Sequence, residues 1–317
     1  MVDSISRPAA SRSAVVRSVR PRRRLWPRRR VSRYTGAPFL FILVNLTLFA
    51  LFFVWPAVIG LAYSFTSYTG VGPAPFVGLD NYQRLLDDSA FYAALLRTVI
   101  FTVSVVPLTF VAALAAAVLL VSPYTRGKPV ARVIFFLPWL ISPIIAGVIW
   151  RWLFGENFGL VNYIITSLGG TAVAWQSNAN LSLLIVVIAA AWGSTAFNML
   201  LFIAALKNVP TAYYEAAALD GSGSWKTFRH ITMPAIAPTS FIVVLLSILH
   251  SMKEYALIQA LNAGGPGTTN NLIVQYIYTT GFRRAQIGYA SAASFALMLI
   301  LMVIAVTQLI LNRRKEA

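Results

Sequence analysis

Glu215-Ala-Ala-Ala-Leu-Asp220-Gly221-Ser-Gly-Ser-Trp-Lys-Thr-Phe228-Arg-His-Ile231-Thr-Met-Pro234-Ala-Ile-Ala-Pro238 is a short polar stretch set between two long apolar ones. Its pattern reads as a helix, a stop, a second short helix and a stop. Pro210 opens the first helix, because the N–H it lacks would have no partner there. Tyr213 to Leu219 are good helix formers, and Gly221 takes the left-handed conformation that ends a helix. Ser222 or Ser224 caps the second turn, and Pro234 and Pro238 close it. A compact helical hairpin at the end of two membrane helices is a surface for another protein to grip.

The flanking segments fix the class. The chain has 317 residues, 58% of them hydrophobic and only 11% charged. A soluble domain carries about twice that charge. There is no cysteine, so neither disulfides nor thiol chemistry is available, and two histidines leave little for a transition-metal site. The net charge of +17 would suggest nucleic acid in a soluble protein, but eleven of the 26 Lys and Arg crowd into Met1–Gly36, as in Arg22-Arg23-Arg24 and Arg28-Arg29-Arg30. A basic tail just before an apolar segment fits the inner face of a membrane and its anionic lipid better than nucleic acid. The tail does not read as a signal peptide, because the apolar run after Arg33 is too long. Residues 1–36 are expected to be a disordered cytoplasmic tail.

Six segments reach the roughly 20 apolar residues that a bilayer needs. They run from about Ala37 to Tyr63 with a kink at Pro56, Leu95 to Val121, Arg132 to Trp152, Leu181 to Leu206, Ala235 to Ala260 and Ile287 to Leu311. The expected fold is an all-α integral membrane protein of six transmembrane helices: a transmembrane domain over 37–311, a polar loop over 207–238 within it that faces the cytoplasm, and a short cytoplasmic tail over 312–317. Loop charge sets the orientation. One set of loops holds twenty basic residues, among them Arg126, Lys128, Arg132, Lys207, Lys226, Arg229, Arg313, Arg314 and Lys315. The other holds five, Arg84, Arg97, Arg151, Arg283 and Arg284, with Asp80, Asp87, Asp88 and Glu156. The first set belongs in the cytoplasm, which places both termini and the polar loop inside.

The outer loops carry weaker signals. Phe76-Val-Gly78-Leu79-Asp80-Asn81-Tyr82 reads as a turn into an amphipathic helix with Leu85, Leu86 and Phe91 on one side. It is either a scoop at the entrance or a plain interfacial helix. Phe154–Asn180 reads as loop. Asn262-Ala-Gly264-Gly265-Pro266-Gly267-Thr268-Thr269-Asn270-Asn271 demands tight turns and positive φ.

The polar loop resembles the EAA loop of the permease subunits of bacterial ABC importers. Glu215, Ala216, Ala217, Asp220, Gly221, Phe228, Ile231, Pro234 and Pro238 stand at matching spacing, with Met233 in place of the usual Leu. The Gly-Gly-Pro run, followed by Leu272, Tyr276, Ile277, Tyr278 and Phe282, resembles the carbohydrate-import permeases of the maltose and glycerol-phosphate type. The likeness covers nearly the whole chain after Gly36. It implies a multi-pass protein of the bacterial inner membrane, paired with a second, related permease. It also implies two ATPase subunits that carry ATP and Mg, and an extracytoplasmic solute-binding protein. It implies further that the Glu215 carboxylate contacts the ATPase, that Ala216 and Ala217 allow close packing, and that Gly221 sets the bend.

The chain itself is not expected to hydrolyse ATP or to bind a cofactor. Gly221-Ser-Gly-Ser-Trp-Lys226-Thr227 superficially resembles a phosphate-binding loop, but Trp225 stands where Gly is needed and no buried strand precedes it. Within the fifth segment, His250-Ser251-Met252-Lys253-Glu254-Tyr255 breaks the apolar pattern. Ionisable groups at membrane depth are costly unless they face a partner or a wet cavity. His250 and Glu254, four apart, share a helical face, whereas Lys253 points about 100° from Glu254. That face, with Tyr255 and Gln259, either lines the solute path or meets the outer surface or a partner. Asn198 must find hydrogen bonds, from a sugar hydroxyl or from a neighbouring helix. Trp139 is a candidate path aromatic. Two other classes compete. A secondary transporter would use Glu254 for ion coupling but normally needs more spans or a repeat. A membrane enzyme on lipid-linked sugar would need clustered carboxylates or a nucleotide site, and neither is seen.

Overall fold

The structure is a computed structural model and describes residues 37–123 and 125–316; the basic tail lies outside the described residues. Two compact units divide at Val54. The first contains helix α1 (Ala37–Phe49) and a π turn over Ala50–Val54, all of whose described side chains are exposed. The second begins with α2 (Trp55–Ser64), α3 (Asp80–Leu86), the long α4 (Ser89–Val121), α5 (Lys128–Leu140), α6 (Pro143–Leu153), α7 (Leu160–Ser167) and the long α8 (Ala179–Lys207). It continues through α9 (Thr211–Leu219), α10 (Ser224–Thr227), a π turn over Phe228–Thr232, α11 (Met233–Ala235), α12 (Ala237–Ser251) and α13 (Ala256–Leu261). It ends with α14 (Ile273–Tyr278), a π turn over Thr279–Arg283 and α15 (Ile287–Glu316). Among the described residues there is no strand, only an isolated bridge between Thr66 and Phe76.

Four stretches are long and apolar enough to cross a membrane: Phe39–Ser64, Ser89–Val121, Ala179–Lys207 and Ile287–Asn312. The two remaining expected spans are broken. The third is bent by 101° between α5 and α6. A residue before proline is pushed out of the helical region, and Ile141 and Ser142 accordingly have ψ of 130° and 138° ahead of Pro143. The fifth stops at Ser251 and resumes at Ala256, so Lys253 and Glu254 sit in a break and not on one continuous helix. By length and composition the count is four, or up to six if Lys128–Leu140 with Pro143–Leu153 and Ser224–Ala235 with Ala237–Ser251 are each taken as one span.

α4 and α8 form the axis of the second unit, and three apolar clusters are strung along it. One joins Phe101 and Val105 to Ala146, Ile185 and the α13 residues Leu257, Ile258 and Leu261. A second joins Ala113 and Ala117 to Met199, Phe202, Ile236 and Val243. A third joins Leu85 and Phe91 to Ile273, Tyr276, Tyr289 and Ala293. α6 crosses α13 closely because Gly147 has no side chain: a Cβ there would stand 2.6 Å from the Leu257 carbonyl oxygen.

One end of the third cluster is tied by one carboxylate. Asp88 is the N-cap of α4, and its Oδ1 accepts the N–H groups of Ala90 and Phe91 at 2.8 and 3.2 Å. Its Oδ2 accepts the hydroxyls of Tyr276 and Tyr289 at 2.5 and 2.6 Å. The Arg84 guanidinium lies 4.2 Å from the centre of the Tyr289 ring and donates to Gln286 Oε1. Burial pushes the Asp88 carboxyl up, but the two tyrosine hydroxyls and two N–H groups together hold it below the ordinary range.

Three local expectations need correction. Leu85 and Phe91 are buried, but Leu86 is 70% exposed; α3 ends there, so its period does not continue into α4. Phe154–Asn180 is not simply loop, because it contains α7 around a buried amide. Asn162 Nδ2 donates to the Glu156 and Val173 carbonyls, and its Oδ1 accepts from Val173 N–H and Trp175 Nε1. All of its hydrogen-bonding capacity on the amide nitrogen is used, so burial carries little penalty. The Glu156 carboxylate accepts the Ser177 N–H, the Ser177 hydroxyl and the Gln176 N–H, which keep it below its usual range. Finally, Gly223 and neither serine stands at the N-cap of α10, with no side-chain cap. The expected positive φ does occur at Gly264 and Gly267.

Asp88→Ala should lower stability by roughly 0.5–2 kcal/mol for the lost cap alone, read as thermal unfolding of the detergent-solubilised protein. Because the folded pKa is depressed, the carboxylate's contribution is full above its ordinary value of 3.8 and is lost as pH falls through the lower folded value. The gap between wild type and variant should therefore close on acidification. Gly147→Val should cost about 1–3 kcal/mol by overpacking the α6–α13 crossing, while Gly193→Val, where a Cβ meets nothing within 4 Å, should cost far less.

Candidate functional site

The Glu215–Pro238 stretch folds as an elbow. α9 runs from Thr211, one residue after Pro210, and ends at Asp220. Gly221 has φ +66°, a conformation strained for any residue with a Cβ. The second arm is longer than expected: α10, the π turn and α11 run together from Ser224 to Ala235, then bend by 70° into α12. An α-helical turn here would set the Pro234 ring against the carbonyl four residues back. The π turn relieves this, with Met233 N–H bonding five residues back to Phe228. Pro234 therefore stays within the arm, and Pro238 starts α12 rather than closing the arm.

The elbow is anchored from below. Ile236, at the bend, is fully buried between α4 and α8, with Tyr214, Phe228 and Met233 packed around that cluster. The Tyr214 hydroxyl and Thr232 Oγ1, 3.2 Å apart, staple α9 to the π turn. Phe228 also stacks on Trp225, with ring centres 5.8 Å apart. Glu215, Ala216, Asp220, Gly221 and Pro234 are exposed, whereas Ala217 is buried. Ala216, Ala217, Asp220, Lys226 and Pro234 line an open groove of about 680 Å³ between the two arms. The Gly221–Thr227 segment follows a helix, not a strand; the Gly221 and Ser222 N–H groups are spent on the Ala218 and Ala217 carbonyls, and Trp225 projects 71% exposed.

The second polar region lies where the two broken spans meet α8. The α5–α6 break, Gly193 and Ser194 on α8, and His250 and Glu254 enclose a hollow of about 260 Å³. An adjoining hollow of about 350 Å³ is lined by Trp139, Ser194, Phe197, Asn198, Ser247, His250 and Lys253, among others. Glu254 serves the break itself: its Oε1 accepts the N–H groups of Tyr255 and Leu257, each at 3.0 Å. Its Oε2 lies 3.8 Å from His250 Nε2, with the two side chains 9% and 61% exposed. The expected proximity of His250 and Glu254 is thus present although the helix between them has ended. Trp139 stacks on Phe197 at 5.0 Å. Asn198 is buried and donates to Ser247 Oγ at 3.0 Å, so a neighbouring helix supplies its partner.

Tyr255 and Gln259 turn elsewhere. The Tyr255 ring packs on Tyr278 at 5.2 Å, and Gln259 Oε1 accepts from Gln275 Nε2 at 3.0 Å. Both belong to the packing against α14 and not to the walls of the two hollows. Gly193 and Pro138, which do line the first hollow, are not conspicuous in the sequence. The signals available for them were a glycine and a proline, each inside an apolar segment.

Residues 88–317 match the family described as the binding-protein-dependent transport system inner membrane component. The sn-glycerol-3-phosphate transport system permease protein UgpA of Yersinia pestis is 31% identical over 282 residues, covering 88% of this chain and 94% of that protein. The probable starch degradation products transport system permease protein AmyD of Thermoanaerobacterium thermosulfurigenes is 32% identical over 279 residues, covering 87% and 94%. A chain of a bacterial ABC transporter involved in the import of the acidic polysaccharide alginate superposes with a TM-score of 0.75 over 88% of this chain and 96% of that one. At 22% identity that likeness speaks for the fold alone. The matched region starts at the cap of α4 and includes both the elbow and the hollows, so this integral membrane chain belongs to the family of binding-protein-dependent transport system inner membrane components, the ABC-importer permeases.

Proposed function

We propose that the chain is one permease subunit of an ATP-driven importer for a sugar or sugar derivative in the bacterial inner membrane. In this reading α5 with α6 and α12 with α13 each make one span, giving six, with both termini and the elbow in the cytoplasm, as the loop charges favour. A second permease completes the path, two separate ATPase subunits carry ATP and Mg, and an extracytoplasmic protein delivers the solute. The sugar class is supported by the relatives named for glycerol 3-phosphate and starch degradation products.

The observation that carries this reading is the elbow. It offers an exposed carboxylate at Glu215, small side chains and a groove, yet it is rooted through Ile236 in the α4–α8 core. A handle stapled internally and anchored at its bend transmits displacement instead of absorbing it. Closure of the ATPase pair would swing the elbow and turn α8 and α12, which wall the hollows. Glu215 would contact the ATPase, Ala216 and Ala217 would permit close approach at the groove, and Gly221 would hold the bend, with Asp220, Phe228 and Pro234 shaping the arms. Trp139, Asn198, His250, Lys253 and Glu254 would border the path, with Tyr255 and Gln259 supporting it from behind. The alternative, ion coupling through Glu254, gains nothing from the geometry, since that carboxylate is occupied by two backbone N–H groups.

Glu215→Lys and Gly221→Val should each abolish uptake and uncouple ATP hydrolysis while leaving membrane insertion intact; normal uptake by both would refute the coupling role. Because the chain has no cysteine, Leu219→Cys, 90% exposed at the tip of α9, should cross-link to an ATPase subunit. Glu254→Ala and Asn198→Ala should change apparent solute affinity or transport rate, and uptake that survives ATP depletion but not loss of the proton gradient would favour the ion-coupled alternative.

A further inference from the structure

The two hollows differ in charge: the smaller is lined by His250 and Glu254, the larger by His250 and Lys253 with no carboxylate in its wall. Glu254 is the acid nearest to them, but its side chain is 9% exposed and its Oε1 is turned to the start of α13. Its other oxygen faces His250. Lys253, one residue earlier, is exposed in the break and lines the larger hollow. Among the described residues no carboxylate comes within ion-pair reach of it. The remaining described acids lie in the outer loops, on the elbow or at the end of α15.

An unpaired ammonium within an apolar segment is costly unless a wet cavity or an anion receives it. A path built for neutral sugars alone has no use for that cost. The rest of the hollow suits a small hydroxylated body: the Trp139 ring, stacked on Phe197, makes a flat apolar wall, and Ser194 and Ser247 offer hydroxyls. We propose that Lys253 and His250 form a subsite in the larger hollow for an anionic group, phosphate or carboxylate, on the transported sugar derivative, while Glu254 stays in the wall of the smaller hollow, where it holds the start of α13. This rests on the importer reading above and narrows its substrate class.

The test uses charged thiol reagents in the assembled transporter. The chain has no cysteine, so Ser194→Cys places a single thiol of this chain in the hollow, and Leu246→Cys places a second in the same wall if the first fails to assemble. The thiolate attacks the sulfenyl sulfur of a methanethiosulfonate, forming a mixed disulfide and releasing methanesulfinate. The product is read as the mass of this chain. Rates with the anionic sulfonatoethyl and cationic trimethylammonioethyl reagents are each divided by their rates with free 2-mercaptoethanol. The anionic reagent should be favoured by about tenfold or more, the gain expected of a cleft lined by one sign of charge. Lys253→Gln should remove most of that preference and Lys253→Arg should keep it. Millimolar sn-glycerol 3-phosphate or glucuronate should slow the anionic reagent where glycerol and glucose do not, and the anion that protects tells phosphate from carboxylate. A ratio unmoved by Lys253→Gln, a preference for the cation, or protection by neither anion would overturn the subsite. If only the subsite is wrong, labelling still responds to ATP but shows no charge preference. If the importer reading is wrong, labelling is indifferent to ATP.

Discussion

An apolar helix that stops inside a membrane releases N–H and C=O groups that lipid cannot satisfy, at several kcal/mol for each one left unpaired. This chain stops twice, at Leu140–Pro143 and at Ser251–Ala256, and the second stop is made tolerable by the Glu254 carboxylate bound to two N–H groups of α13. Much else follows from that bond. With the break held open, α13 can turn to pack on α6 at Gly147, where only a missing side chain allows the approach. The same break exposes Lys253 and leaves the paired hollows between α8 and the two interrupted spans. The polar residues of this stretch thus divide the work: one acid holds the start of α13, and Lys253 and His250 line the larger hollow.

The two ends of the second unit are fastened by different chemistry. On one side Asp88 gathers two N–H groups and two tyrosine hydroxyls, joining the start of α4 to α14 and α15. On the other the elbow is fastened by apolar burial, with Ile236 sunk in the α4–α8 cluster. Burial is non-directional and fills space, which suits a joint that must move as a body, whereas the hydrogen-bonded clamp fixes a geometry. In the proposed importer the moving handle is thus greasy at its root and polar at its tip. The hollows lie along α8 and α12, the helices that leave that root.

The first arm of the elbow and its bend were legible because their signals are local: Gly221 announces its positive φ. The stops read from Pro234 and Pro238 were not where the structure puts them, since Pro234 lies within the second arm and Pro238 begins α12. Even so, the π turn over Phe228–Thr232 was not visible, since it arises from a proline accommodated in a helix whose far end is anchored by burial of Ile236. In the hollows the proximity of His250 to Glu254 was predictable from spacing, but the role of Glu254 was not. Nothing in the spacing of Tyr255 or Gln259 tells that they turn to Tyr278 and Gln275. Asp88, read as one of several outer acids, is distinguished only by two tyrosines that lie 188 and 201 positions away in sequence.

Composition and the placement of charge determined, without coordinates, that this is a helical membrane protein with a polar elbow between apolar segments, because transfer of each segment to lipid depends on its own side chains. Glycine likewise determined where positive φ falls, at Gly221, Gly264 and Gly267, because the tolerance of a missing Cβ is intrinsic. Tertiary structure alone decided which prolines break a helix and which are absorbed in one, which polar groups are consumed in holding the breaks and which are left to line the hollows. Those outcomes depend on partners brought from distant segments, and the energy of a buried polar group is set by what stands opposite it.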